Sequence, residues 1–179
     1  MSHETTAKTG AASRLNVKKL VFTAMLACLS YVLSSFVYFP RMAPFQHMIN
    51  VIGAVFLGPF WNFACAALTG LMRMILGGRT IQALIGAVVG AFLSGLMFRL
   101  TKKTLAAVGG EIFGTGILSA LMVYPFMVKF YGLSPELPFW TFIPSYVPSA
   151  VMGACLGFVV IKILEKSGAL SRMKQMLEN

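Results

Sequence analysis

Charged side chains are scarce in this chain, and acidic ones are the scarcest. Only 11% of the 179 residues are charged, against about 25% in a typical soluble domain. Asp and Glu together number 5, and most of them lie near the chain ends or in loops, which leaves little basis for a proton relay built from carboxylates. The chain is 58% hydrophobic, with a mean hydropathy of +0.80. This composition indicates an integral membrane protein of one compact domain.

Catalytic and nucleotide-binding motifs are also missing. The sequence contains no G-x-x-x-x-G-K-[ST] loop for ATP, no H-E-x-x-H and no G-x-S-x-G. Three cysteines, Cys28, Cys65 and Cys155, stand singly in apolar runs without metal-ligand spacing, and we interpret them as buried thiols. No catalytic residue, metal ligand or cofactor is therefore predicted. An intramembrane enzyme is a minor alternative, because His47 has no nucleophile beside it.

Six apolar runs predict an all-α integral membrane protein, a bundle of six transmembrane helices. We place the spans at residues 19–39, 45–58, 60–76, 81–99, 105–130 and 140–165. The second is short and ends at Gly58-Pro59, so we expect it to be tilted, re-entrant or covered by neighbours. Pro125 is expected to kink the fifth span. The membrane domain then covers residues 18–166, with a mobile N-terminal tail at 1–17 and a C-terminal tail at 167–179.

The basic residues predict how the spans are oriented. A net charge of +10 does not indicate nucleic-acid binding here, because the basic residues lie in patches between apolar runs. Placing both termini in the cytoplasm puts most Lys and Arg residues on the inner side, as the positive-inside rule requires. Arg41, Arg79 and Lys129 then lie outside, and Arg73 lies within a span. We therefore expect a multi-pass protein of the cell membrane.

Polar groups gather at the head of the second span. Gln46, His47 and Asn50 precede a run that offers nothing else polar. Read as a helix, Gln46, Asn50 and Gly53 fall on one face. Three neutral hydrogen-bonding groups at the mouth of an apolar segment suggest recognition of a small polar molecule, and anchoring of the helix at the membrane interface is the alternative.

Five further residues complete the candidate substrate-binding site. Arg73 and Glu111 are charges within spans, which are costly and often functional, although contacts between helices are the alternative for both. Tyr124 and Tyr146 lie near the outer ends of the fifth and sixth spans, where they either anchor the interface or stack on a flat heterocycle. Ser149, in the stretch SYVPS, is positioned to line a cavity.

Four stretches of the chain resemble the S-components of energy-coupling factor (ECF) transporters, small six-helix bacterial proteins that capture vitamins. They are QHMINVIGAVFLGP (46–59), GLMRMILG (70–77), GEIFGTGILSALMVYP (110–125) and SYVPSAVMGACLG (145–157). Within that family the chain is most similar to the thiamine-precursor subgroup assigned to hydroxyethylthiazole. The resemblance implies the S-component fold and a pocket near the outer half of the bundle, partly covered by the loop at 38–45.

The resemblance also implies partners and a mechanism. Members of the family dock on a transmembrane coupling subunit joined to two cytoplasmic ATP-binding subunits, and the loaded protein topples in the membrane. Docking uses a small-xxx-small motif on the first helix, which here is Ala24-xxx-Cys28. The expected function is import of a thiamine precursor. An S-component for hydroxymethylpyrimidine, thiamine or biotin, and a membrane protein without a transport role, are the alternatives.

Overall fold

The protein is helical through most of the part that the structure describes. The computed structural model describes the backbone of residues 3–36 and 42–178, and the side chains of residues 17–36 and 42–177. The helices are α1 (His3–Phe36), α2 (Pro44–Ile75), α3 (Gln82–Thr101), α4 (Thr104–Phe113), α5 (Ala120–Tyr131), α6 (Ile143–Lys166) and α7 (Ala169–Glu178). A π-helical segment, Gly114–Ser119, joins α4 to α5. Within the described residues, five helical segments are long and apolar enough to cross a membrane, with α4 and α5 counted as one.

α2 doubles back on itself at Gly58 and so supplies two spans. Gly58 has φ 74° and ψ −176°, a conformation that essentially only glycine adopts, and Pro59 follows it. The Asn62 side chain donates to the Asn50 carbonyl at 2.8 Å, whereas a straight helix would separate these residues by about 18 Å. Residues 44–57 and 59–75 are therefore two antiparallel arms, called here the first and second arms of α2. The predicted six-helix membrane bundle is confirmed.

The first arm of α2 forms the centre of the bundle. Nearly all of its residues are buried, including the whole run from Ile49 to Leu57. On one side it lies against α6, whose Gly153 and Gly157 bring the backbone close to His47 and Val51. α3 lies on another side, and the second arm lies alongside. The short second span is thus covered by its neighbours, which removes the need to shield its ends from lipid.

The C-terminal segment forms a packed helix, which the sequence analysis missed. Leu170, Met173 and Leu177 of α7 pack against a core cluster that includes Leu26 of α1, and Leu164 of α6 packs against the same cluster. Apolar residues at i, i+3 and i+7 are the signal that predicts such an amphipathic helix. α7 therefore closes the end of the bundle where the chain finishes.

Other details extend or correct the sequence predictions. α1 begins at His3, so helical backbone includes most of the segment assigned to the N-terminal tail. Pro125 sits inside α5, where the kink stays a prediction, and a departure from α-helical hydrogen bonding lies in the π-helical segment before it. Of the cysteines, only Cys65 is buried, and Cys28 and Cys155 are exposed. The interpretation of all three as buried thiols is wrong, because α1 and α6 are peripheral helices with apolar outward faces.

Basic residues mark one end of the bundle. The start of the apolar part of α1, the turn between α3 and α4, and α7 meet there, and their basic residues are Lys18, Lys19, Arg99, Lys102, Lys103, Arg172 and Lys174. The opposite end carries Arg79, Lys129 and the loop 132–142. Arg41 and the first half of the loop 38–45 lie outside the described residues. Six spans thus return the chain to the end from which it started.

Candidate functional site

A cavity opens at the end of the bundle opposite the basic end. Its volume of about 530 Å³ falls within the range of about 300–1,000 Å³ typical of small-molecule sites. Its walls come from α2, α3, α5 and α6 and from the loop 132–142. The predicted site residues that line it are Gln46, His47, Arg73, Tyr146 and Ser149. The fold thus brings together side chains that lie about a hundred residues apart in the chain.

One wall of the cavity is aromatic and apolar. Tyr146 projects from α6 towards α3, where Gly86 leaves room for its ring: a side chain at Gly86 would meet the ring at 3.1 Å. The Phe142 ring lies beside it, with centroids 6.3 Å apart. Met127 and Leu137 extend the apolar lining. Such a wall provides a surface against which a flat ring can stack.

Arg73 and Gln46 form a polar contact within the lining. The Arg73 Nη1 group donates to the Gln46 Oε1 atom at 3.1 Å. Because a guanidinium only donates hydrogen bonds, the amide oxygen of Gln46 must face it. The Gln46 Nε2 group is then left without a partner among the described residues, although the residue is only 1% exposed. The cavity wall therefore holds a buried amide donor with no protein acceptor.

A cluster of four polar residues lies behind this wall, and we call it the Glu111 cluster. The Oε1 atom of Glu111 is 2.9 Å from His47 Nδ1, and it accepts hydrogen bonds from Asn50 Nδ2 at 3.0 Å and Thr115 Oγ1 at 2.8 Å. Glu111 is fully buried, and neither it nor Asn50 lines the cavity. With the ring proton on Nδ1, His47 turns its Nε2 atom to the cavity as an acceptor. The cluster therefore fixes the orientation of His47.

Local backbone features create the space for the Glu111 cluster. Gly90 of α3 faces it, and any side chain there would collide with Thr115 Oγ1 and with both carboxylate oxygens of Glu111. Thr115 belongs to the π-helical segment, a distortion often found at functional sites. Asn62 of the second arm donates to the carbonyls of Asn50 and Ala91, which ties the arms to α3. Gly90, the π-helical segment and the two arms of α2 therefore together create the space for the Glu111 cluster.

The remaining predicted residues lie elsewhere. The Tyr124 hydroxyl is 2.8 Å from the Leu137 carbonyl and 3.2 Å from the Pro135 carbonyl, so it contacts the loop whose Leu137 lines the cavity. Ala24 and Cys28 are both exposed, one turn apart on the outward face of α1. Neither is near the cavity lining.

Sequence reasoning missed several polar residues of the lining. Arg79, Thr80 and Gln82 come from the short connection between the second arm and α3, and Thr141 comes from the loop before α6. The signal for the first three was a polar stretch directly after Gly77-Gly78, between two apolar runs. Among the described residues, no group of His, Cys, Asp and Glu side chains is arranged to hold a metal ion.

Comparison with known proteins identifies the family. A family model described as "Thiamine-precursor transporter protein (ThiW)" matches residues 20–167. No curated protein and no solved structure matches the chain. The match includes every residue that lines the cavity, and it confirms the resemblance to the thiamine-precursor subgroup. The chain is a multi-pass membrane protein and belongs to the ThiW family of thiamine-precursor transporter proteins.

Proposed function

We propose that this protein is the substrate-binding S-component of an ECF vitamin importer and that it captures hydroxyethylthiazole, the thiazole precursor of thiamine. The observation that carries the proposal is the cavity, whose lining combines the polar side chains of Gln46, His47 and Arg73 with the ring of Tyr146. The family match supports a thiamine precursor as substrate. A small neutral heterocycle with one hydroxyl group suits this arrangement of a flat apolar wall and few polar groups.

The polar groups of the cavity complement those of hydroxyethylthiazole. The unpartnered Nε2 group of Gln46 donates to the ring nitrogen or to the hydroxyl oxygen of the ligand. The Nε2 atom of His47, whose Nδ1 is held by Glu111, accepts a hydrogen bond from the hydroxyl group. A buried donor left unpaired costs about 1–3 kcal/mol. The ligand removes that cost when it binds, so the cavity favours a ligand that carries an acceptor at this point.

The cavity opens to the outside in the proposed orientation. The basic end of the bundle, with both described chain ends, then lies in the cytoplasm of a cell-membrane protein, in agreement with the positive-inside rule. Substrate enters from outside below the loop 132–142. Tyr124 contributes by holding that loop through its backbone carbonyls.

Delivery of the substrate requires partner subunits. We propose that Ala24 and Cys28 form the contact with a transmembrane coupling subunit, which is joined to two ATP-binding subunits. Their exposure on α1 and their small size support a close helix-to-helix contact. The loaded protein then topples in the membrane, and the ATP cycle of the partners opens the cavity to the cytoplasm.

A binding screen on the detergent-purified protein tests the substrate. The panel contains hydroxyethylthiazole, hydroxymethylpyrimidine, thiamine, biotin and riboflavin, and both equilibrium binding and the thermal shift are measured. Hydroxyethylthiazole is expected to stabilise the protein selectively, because a ligand that binds only the folded state raises its stability by mass action. Gln46→Leu is expected to weaken binding about tenfold through the loss of one hydrogen bond.

Thr101→Val is the matched control, since it removes a hydroxyl group at the other end of the bundle. It should bind as the wild type does. A shift with a different vitamin alone would retain the S-component function and overturn the thiazole assignment. Wild-type affinity for hydroxyethylthiazole in Gln46→Leu would show that the ligand binds elsewhere.

A further inference from the structure

The cavity lining includes Arg73, a charged residue that forms no ion pair within the described part of the chain. No carboxylate among the described residues belongs to the lining. Glu111 is fully buried behind His47, and its Oε1 atom is occupied by the donors of its cluster. Glu136 is exposed in the loop 132–142 and lies outside the lining. Arg73 therefore brings a positive charge to the cavity wall with no carboxylate beside it in the lining.

The position of Arg73 lets its charge act on a molecule in the cavity. Arg73 is held against the wall by its bond to Gln46. It also lines a smaller pocket of about 230 Å³ beside α1, together with Tyr31 and Ser34. Arg73 therefore lies between the cavity and this smaller pocket. Arg73 is partly buried, and a charge in such a place acts on a neighbouring charge more strongly than it does in water.

We propose that the cavity selects its ligand by charge, with Arg73 as the determinant: neutral and anionic heterocycles bind, and cations are rejected. The proposal rests on the proposed function and narrows it. An uncharged thiazole is accepted, whereas a thiazole alkylated on its ring nitrogen, which carries a fixed positive charge, is repelled by the guanidinium. The intact vitamin contains such a thiazolium ring, so the same residue separates the precursor from the finished product.

A pair of ligands that differ in charge tests the proposal. The pair is hydroxyethylthiazole and its N-methyl thiazolium derivative, which share the ring and the hydroxyl group. The wild type is expected to bind the cation at least about tenfold more weakly than the neutral compound, as expected for like charges a few ångströms apart. Equal affinities for the two compounds would overturn the proposal.

Two substitutions separate charge from shape. Arg73→Lys keeps the charge, and Arg73→Met has a side chain of similar length without it. The ratio of the two affinities should persist in the lysine variant and fall at least about fivefold in the methionine variant. The extra methyl group of the cation affects both variants equally, so equal ratios in the two would overturn the role of Arg73. Arg73→Gln serves as a second uncharged variant if the methionine variant does not fold.

A failure of the proposed function can be distinguished from a failure of the charge proposal. If hydroxyethylthiazole does not bind the wild type, the thiazole assignment is wrong. The charge proposal is then decided by the same comparison on hydroxymethylpyrimidine and its N-methyl derivative. A cation that binds as well as its neutral parent would overturn the proposal in that case too.

Discussion

Glu111 is a shared hydrogen-bond acceptor that holds the side chains around it in place. Three donors from two parts of the chain, on His47 and Asn50 of α2 and on Thr115, converge on one of its oxygens inside the bundle. Removing the carboxylate leaves all three without that acceptor. Each buried polar group that loses its partner costs about 1–3 kcal/mol.

Glu111→Ala is therefore expected to lower the free energy of unfolding by at least about 2 kcal/mol and to weaken ligand binding, because His47 is no longer oriented. Thr115→Val is the comparison, since it removes one donor and leaves the carboxylate with the other two. Its effect should be clearly smaller. Thermal melting and equilibrium binding measure both variants, and equal losses in the two would contradict a central role for Glu111.

The sequence singled out polar residues that the fold brings together, but it did not predict which of them line the cavity and which lie behind it. Burial and charge made Gln46, His47, Arg73 and Glu111 candidates, and they do lie close together in the fold. The sequence analysis assigned Glu111 to the ligand, whereas in the structure it lies one layer behind His47. Helix rotation decides this difference, and a helical pattern with apolar residues on most faces does not specify the rotation.

At the scale of helices, the reversal in α2 depends on one residue. Gly58 combines φ 74° with ψ −176°, which residues with a Cβ atom reach only with strain of about 1–3 kcal/mol. Gly132 at the end of α5 has φ 67° and ψ 24°, a left-handed conformation that asparagine tolerates. Asparagine is therefore tolerated in place of Gly132 but is strained in place of Gly58.

Gly58→Asn is expected to lower the melting temperature and Gly132→Asn to leave it nearly unchanged, because only the second position suits asparagine. Melting is followed by circular dichroism in detergent, together with ligand binding. A Gly58→Asn protein as stable as the wild type would show that the arms do not need this backbone conformation.

The outward face of α1 is the second feature at this scale. Ala24→Leu adds a bulky side chain where a close helix contact is proposed, and it should leave ligand binding by the purified protein unchanged. Uptake by cells that contain the coupling module should fall by about tenfold or more, equivalent to ~1.4 kcal/mol of docking energy. Ala64→Leu is the control, since Ala64 is likewise exposed but lies on the second arm of α2. Equal uptake by both variants would contradict docking through α1.

The helices themselves were largely predictable, and their interruptions were less so. Apolar runs placed the spans to within a few residues, and Gly58-Pro59 marked the boundary between two of them. The π-helical segment left no signal beyond its glycines, because its hydrogen bonds depend on the contact with α3. α7 has a clear amphipathic pattern that a search for membrane spans passes over.

For the whole molecule, the orientation in the membrane gives a direct prediction. Ser134 and Ser171 are both exposed, the first in the loop beside the cavity and the second on α7. In a background whose native cysteines are replaced by alanine, Ser134→Cys should react with a membrane-impermeant maleimide on intact cells. Ser171→Cys should react only after the membrane is permeabilised. The reverse result would place the cavity on the cytoplasmic side.

The buried first arm of α2 has a consequence for how anything can cross this protein. Beneath Gln46 and His47 the arm continues as a close-packed apolar segment, from Val51 to Leu57, that fills the axis of the bundle down to the reversal at Gly58. The bundle is therefore open at the cavity and closed below it by packed side chains. Among the described residues this packing leaves no open route along the axis, so a molecule held in the cavity cannot pass straight through. Under the proposed function, release on the other side requires the bundle to rotate or its helices to separate, and that is the work that partner subunits would supply.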